Sequence, residues 1–158
     1  MQTNEAKTPR ILNVGAGNRI IAGAVNHDIV CHRPEITAVH DLNVLPWPWA
    51  DESFDLIVAR AVLEHLHIDL IESVDECWRI LAPGGQLHLK LPHWQHDHTY
   101  LDPTHRHRFS LRTVEIFDPA TEYGGQYAWY TPRKWRITKG PWMNRCLSSI
   151  YVRMAVRK

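Results

Sequence analysis

Ile11-Leu-Asn-Val-Gly-Ala-Gly-Asn18 reads as a short buried strand that opens into a glycine turn. Gly15 and Gly17, at the end of an apolar run, let the backbone turn sharply and bring its N–H groups close to a ligand that any side chain would obstruct. Thirteen positions after Gly15, Asp28 stands in Val25-Asn-His-Asp-Ile-Val30, the end of a second β-like run. A carboxylate there can accept hydrogens from two ribose hydroxyls. The third glycine of the dinucleotide fingerprint falls on Ile20, so the close helix–strand packing of that motif is missing. The stretch therefore predicts a nucleoside site that does not serve a pyrophosphate.

Outward from this unit the chain alternates strands with a helix. Thr37-Ala-Val-His-Asp-Leu42 is a third β-run, and the proline-punctuated 46–53 segment is a loop. Phe54-Asp-Leu-Ile-Val-Ala59 is nearly all apolar, as suits a parallel strand covered on both faces. Ile68, Ile71, Val74, Trp78 and Leu81 follow at three- and four-residue spacing, a helix that Pro83-Gly84-Gly85 is expected to stop. Gln86-Leu-His-Leu-Lys-Leu91 alternates as the next strand. An irregular, His- and Asp-rich segment runs to about Pro132, and two further β-runs, Lys134–Lys139 and Ser148–Val156, pair as a hairpin. Residues 18–24 leave about two helical turns for a parallel crossover, which normally takes a dozen or more residues. The first helix is thus expected to be shortened or missing. The pattern predicts one α/β domain over residues 1–158: a core at 10–91, a substrate or lid segment at 92–132 and a C-terminal hairpin at 133–158.

With 44% hydrophobic and 22% charged residues, 158 residues suffice for one core and are too few for two domains of usual size. No apolar run reaches the roughly 20 residues of a membrane span, and residues 1–10 contain no apolar signal core, so a cytoplasmic location and no membrane partner are expected. Cys31, Cys77 and Cys146 are isolated, which supports neither a disulfide framework nor a zinc ribbon. All the acids precede residue 131, whereas residues 131–158 carry Arg133, Lys134, Arg136, Lys139, Arg145, Arg153, Arg157 and Lys158. Interleaved with Trp135, Trp142 and Tyr151, this basic tail suits nucleic acid. The plainer reading is a pair of edge strands whose solvated basic faces neutralise an acidic body.

Three joined motifs narrow the fold further: Asp51-Glu-Ser-Phe-Asp-Leu-Ile-Val58, Val62-Leu-Glu-His-Leu66 and Trp78-Arg-Ile-Leu-Ala-Pro-Gly-Gly85. In order and spacing they resemble the fourth strand, following helix and fifth strand of the class I S-adenosylmethionine-dependent methyltransferases, specifically small members similar to the type 11 domain. The resemblance covers about residues 10–112. It implies a Rossmann-like, mostly parallel seven-stranded sheet with a C-terminal antiparallel hairpin, and S-adenosylmethionine as cofactor. By the resemblance, Gly15, Ala16 and Gly17 would wrap the methionine moiety, Asp28 would hold the ribose, Asp41 and Leu42 would meet the adenine, and Arg60 would sit beside the cofactor. The chain departs from the family at Asn13, where an acid is usual, and at Arg19, where a third glycine is frequent. Only ten residues precede the first strand, so any lid is expected from the segment after Pro92 or from a second copy of the chain in a homodimer.

Methyl transfer is an in-line displacement that asks the protein to align the acceptor, exclude water and remove a proton from O–H or N–H acceptors; it requires no metal. The segment after the fifth strand, where ligands of open α/β sheets gather, holds His93, His96, His98, His105 and His107. His105, oriented by a carboxylate such as Asp102, is the candidate base. His65 is read as a packed histidine, and Phe109 and Trp94 as loop anchors. His93-Trp-Gln-His-Asp-His98 resembles the metallo-β-lactamase ligand pattern, but Gln95 replaces its second histidine. The expected activity is transfer of a methyl group to an unidentified acceptor. The alternative is a non-catalytic module of the same fold, binding nucleic acid through residues 131–158.

Overall fold

Seven strands share one sheet in the computed structural model, which describes residues 8–146 and 148–158. They are β1 (Ile11–Val14), β2 (Val25–Asp28), β3 (Ala38–Val39), β4 (Phe54–Arg60), β5 (Leu81–Pro92), β6 (Lys134–Met143) and β7 (Ser149–Arg157). Their order is β3-β2-β1-β4-β5-β7-β6. β1 to β5 pair in parallel, and β7 lies antiparallel between β5 and β6. This is the Rossmann-like α/β sheet with its C-terminal antiparallel hairpin. All the helices of the described residues follow β4: a 3-10 turn at Leu63–His65, α1 (Leu70–Ile80), α2 (His98–Leu101), a second 3-10 turn at Thr113–Phe117, and α3 (Glu122–Gln126).

Between β1 and β2 there is no helix; turns fill residues 15–24. Two buried asparagines replace it. The Asn26 side-chain oxygen accepts from Asn13 Nδ2 (2.8 Å) and Ile21 N (3.0 Å), and its amide donates to Ile21 O (3.0 Å). Asn13 Nδ2 also donates to Arg19 O at 2.8 Å, so the side chain that stands at the usual acid position braces the loop. These bonds satisfy backbone groups that a helix would have paired internally.

With helices missing from the connections between β1, β2 and β3, the sheet packs its core mainly on one face. Leu12, Val14, Ile57, Ala59, Leu87, Leu89, Leu91, Ile150, Val152 and Met154 all belong to one hydrophobic core, which α1 joins through Val74, Cys77 and Ile80. Alternation puts Leu56, Val58, Arg60, His88, Lys90, Tyr151 and Arg153 on the opposite face. β4 was expected to be covered on both faces; its second face has half-buried Leu56 and buried Val58 and ends in exposed Arg60.

Three boundaries also move. β2 stops at Asp28 and β3 spans two residues; beyond them the amides of Ile29 and Asn43 donate to the Asp28 and Asp41 carboxylates. α1 ends at Ile80, not at the prolyl-glycines: Leu81 already pairs with Phe54, and Lys158 Nζ donates to Leu81 O at 2.6 Å. Pro83-Gly84-Gly85 instead carries an irregularity within β5, with Gly84 at φ 72°.

The 46–53 loop is pinned to α1. Arg79 donates to Glu76, Asp51 and the carbonyls of Trp47 and Trp49, and Glu76 accepts from Trp47 N at 2.8 Å. Trp47 is buried and donates its indole N–H to Leu42 O at 2.9 Å, which fixes the segment around Asp41.

Candidate active site

The glycine turn and the end of β2 form one wall. Gly15 (φ 56°) and Gly17 (φ 51°) adopt left-handed backbone that favours glycine. Gly17 N donates to Asp28 Oδ2 at 2.8 Å, and Ile29 N to Asp28 Oδ1 at 2.8 Å. Buried His27 lies behind the turn. It donates Nε2–H to His40 O (2.9 Å), which leaves Nδ1 to accept from Gly15 N (3.4 Å). A cavity of about 460 Å³ is lined by Gly15, Asp28, Ile29, Asp41, Leu42 and His65, among others. A smaller one, about 290 Å³, runs along Gly15, Ala16, Gly17, Arg19 and Arg60. Carboxylates with an apolar side chain beside them are the kind of lining that suits a nucleoside.

A third cavity, about 640 Å³, is lined by Glu64, His65, Lys90, His98, Asp102 and His105, among others. Ala61 lines all three cavities. Its φ of 56° is unusual for a residue with a Cβ and turns the chain at the end of β4, so that Val62 to His65 fold over the sheet edge. Ala61 N is held by Lys90 O at 2.9 Å.

The segment after Pro103 returns to this turn. Arg106 N and His107 N both donate to Glu64 O, at 2.6 and 3.2 Å, and His107 Nε2 donates to Ile68 O at 3.1 Å. His105 is thereby set beside His65, ring centroids 4.7 Å apart. His105 Nδ1 donates to Thr99 O at 3.1 Å, so its Nε2 carries the lone pair. Asp102 does not reach that ring by hydrogen bond. Its Oδ1 accepts from Thr104 N (2.9 Å) and Thr104 Oγ1 (2.7 Å), and the threonine oxygen in turn accepts from His65 Nδ1 at 2.8 Å. The hydrogen bonds from Thr104 hold the Asp102 carboxyl below its ordinary range. Burial lowers the His65 imidazole, with His105 adding to the effect.

Glu64 is a functional candidate that sequence reading passed over. Its residue is 1% exposed and its Oε2 has no hydrogen-bond partner. Burial pushes its carboxyl up to about 7. Its signal was the unpaired acid in Val62-Leu-Glu-His-Leu66, but nothing in the spacing separates it from a solvated helix face. The structure thus unites His105, His65 and Glu64, keeps Asp102 one bond removed, and gathers Gly15, Asp28, Asp41 and Leu42 around the adjoining cavity. His96 and His98 pair with each other (ring centroids 4.4 Å), while Phe109 is buried in the core and Trp94 is exposed.

Residues 12–89 match the model of the methyltransferase domain family. A search of the curated proteins returns no match. Among solved structures, the chain is similar to YcgJ of Bacillus subtilis (TM-score 0.62, 14% identity, 95% of this chain and 92% of that one). It is similar to a SAM-dependent methyltransferase of Archaeoglobus fulgidus (TM-score 0.61, 14% identity, 96% and 87%). It also resembles Haemonchus contortus phosphoethanolamine N-methyltransferase 2, determined with S-adenosyl-L-methionine (TM-score 0.59, 14% identity, 95% and 48%). At these identities the likeness concerns the fold. Together with the match over residues 12–89, it identifies β1 to β5 as a domain of the methyltransferase family, and gives the chain the fold of the class I S-adenosylmethionine-dependent methyltransferases.

Proposed function

We propose that the protein transfers a methyl group from S-adenosylmethionine to an acceptor that enters the cavity of about 640 Å³. The observation that carries this reading is the junction at Ala61, where a cavity of about 460 Å³ walled by Asp28 and Asp41 lies beside a second cavity lined by His65 and His105. Gly15, Ala16, Gly17 and Arg60 would hold the methionine end of the cofactor, Asp28 the ribose, and Asp41 with Leu42 the adenine. Bound there, the cofactor supplies a sulfonium methyl group for in-line displacement. The chain's own contribution is alignment, exclusion of water by the 92–109 segment, and proton removal from the acceptor. His105 can serve that last step because its Nε2 is the free, unprotonated nitrogen, while Asp102 acts through Thr104 and His65. Calorimetric titration with S-adenosylmethionine and S-adenosylhomocysteine tests the reading. Micromolar binding that Asp28→Ala weakens supports it, and no binding to either ligand overturns it.

One observation favours a second reading, a nucleic-acid-binding module. Cross-strand register aligns Arg60, Lys90, Tyr151 and Trp142 in one row and His88 with Arg153 in the next, on the sheet face opposite the core. Trp142 and Tyr151 stack at 5.6 Å, and Lys139 lies over Trp142. Such cations among exposed rings suit single strands. By contrast Arg133, Lys134 and Lys158 are spent on Asp75, on backbone carbonyls and on Glu52. Salt-dependent oligonucleotide binding lost in Arg153→Glu, without cofactor binding, would support this module.

A further inference from the structure

We infer that Glu64, His65 and His105 form a binding site for one divalent transition-metal ion. One donor atom from each of the three lies within 4.8 Å of the others. Ligand atoms about 2.1 Å from a tetrahedrally bound ion lie about 3.4 Å from one another, so side-chain rotations that draw these atoms together by up to about 1.4 Å close the site.

Three features argue for a site rather than a chance cluster. The first is the tautomers. The bond from His105 Nδ1 to Thr99 O and that from His65 Nδ1 to Thr104 Oγ1 both consume the N–H, and each leaves Nε2 as a lone-pair donor. Metal-bound histidines are characteristically held in this way through their second nitrogen, by a carbonyl or a carboxylate-backed partner. Here Thr99 O is the first kind and Thr104, itself bonded to Asp102 Oδ1, the second. The second feature is Glu64 Oε2, which is buried yet lacks any partner, an arrangement that costs stability unless something else occupies it. The third is the double amide contact of Arg106 and His107 with Glu64 O, which fixes the distance between the two sequence segments that supply the ligands.

Two imidazoles and one carboxylate select manganese, iron, cobalt or zinc over magnesium or calcium, which favour all-oxygen sites. The three protein ligands leave coordination positions open toward the cavity of about 640 Å³. A cation there would draw a hydroxyl oxygen of the acceptor to itself and make its proton easier to lose to solvent, so the base role of His105 given above belongs to the metal-free chain and His105 would be a ligand once the ion is bound. The inference thus rests on the methyl-transfer reading only for its purpose; the site itself does not depend on it.

The test is cobalt(II) binding by the full chain after chelation and dialysis, followed by visible absorption and calorimetry, with S-adenosylhomocysteine binding measured in parallel. One cobalt per chain, with ligand-field bands, is expected. His105→Asn and His65→Asn should abolish it, and Thr104→Val should weaken it about tenfold, the scale of a lost outer partner. Circular dichroism and urea midpoints close to that of the parent show that these variants fold. Asp28→Ala and the double variant His96→Ala/His98→Ala should bind cobalt as the parent does. No binding of cobalt, manganese or zinc overturns the inference, as does binding that survives in His105→Asn and His65→Asn. Cobalt binding without cofactor binding would uphold the metal site and sink the methyltransferase reading; the converse would do the opposite.

Discussion

Gly17 N and Asp28 Oδ2, 2.8 Å apart, join the glycine turn after β1 to the acid that ends β2. The acid therefore does two things: it holds the turn in its left-handed conformation and, in our reading, receives ribose hydroxyls. Asp28→Ala removes both and should weaken S-adenosylhomocysteine binding by about 1.5–3 kcal/mol, the scale of a hydrogen bond to a charged group. Asp28→Asn keeps an oxygen for Gly17 N but loses the charge and the acceptor for Ile29 N, so it should fall between parent and Asp28→Ala. Calorimetry distinguishes them, and equal affinity in all three proteins would remove Asp28 from the site.

Gly15 is constrained from two sides. A Cβ there would lie 2.3 Å from Val62 Cγ2, and φ is 56°. Gly15→Ala should cost about 1–3 kcal/mol for the strained backbone alone, plus the overlap. Val62→Ala removes Cγ2, so in the double variant the overlap should be relieved while the backbone cost persists. Urea midpoints of the four proteins give the coupling directly. Additive effects would mean that Val62 moves aside without penalty.

Much of this arrangement was legible in the residues. Hydrophobic runs located the strands, and the short 18–24 interval announced the missing helix, because chain length bounds a crossover whatever the side chains do. The Gly15, Asp28 and Asp41 group was legible because local backbone geometry and chain order set it. The Glu64–His65–His105 cluster was not, since it depends on the 93–109 segment folding back onto Glu64 O, a contact between residues some 40 apart. The partner of Asp102 was equally out of reach: spacing placed it near His105, whereas the turn through Thr104 delivers it to His65. The one-sided core followed from the missing helices, but near-continuous apolar character in β4 hid it.

Asn26 should matter more for stability than a short loop suggests. Its amide serves Asn13, Ile21 N and Ile21 O in a buried setting. Asn26→Leu strands these groups, at about 1–3 kcal/mol for each buried donor or acceptor left unpaired. We expect a loss of at least about 2 kcal/mol in urea unfolding, and weaker cofactor binding because the 15–24 turn loosens. A variant as stable as the parent would show that water takes over these bonds.

His27 gives the fold a pH dependence with a definite sign. Burial lowers its pKa, against the opposing pull of the His40 carbonyl and Asp28, while His40 adds to the lowering. Trp49 packs edge-on against the ring at 5.4 Å. The neutral ring is required because Nδ1 accepts from Gly15 N while Nε2 donates to His40 O. The unfolded chain takes up the proton near its ordinary value of about 6.5, whereas the folded protein resists until lower pH. Stability from this group is therefore fully present above about pH 6.5 and falls as the pH drops toward the folded value, with a slope of up to about 1.4 kcal/mol per unit. His27→Gln can still donate to His40 O but does not titrate. Urea unfolding of parent and variant from pH 7.5 to 5 should show a shallower decline in the variant, with His65 and His88 contributing equally to both. Parallel declines would mean that His27 is protonated in the folded protein as readily as in the unfolded chain, and that the turn at Gly15 does not depend on its lone pair.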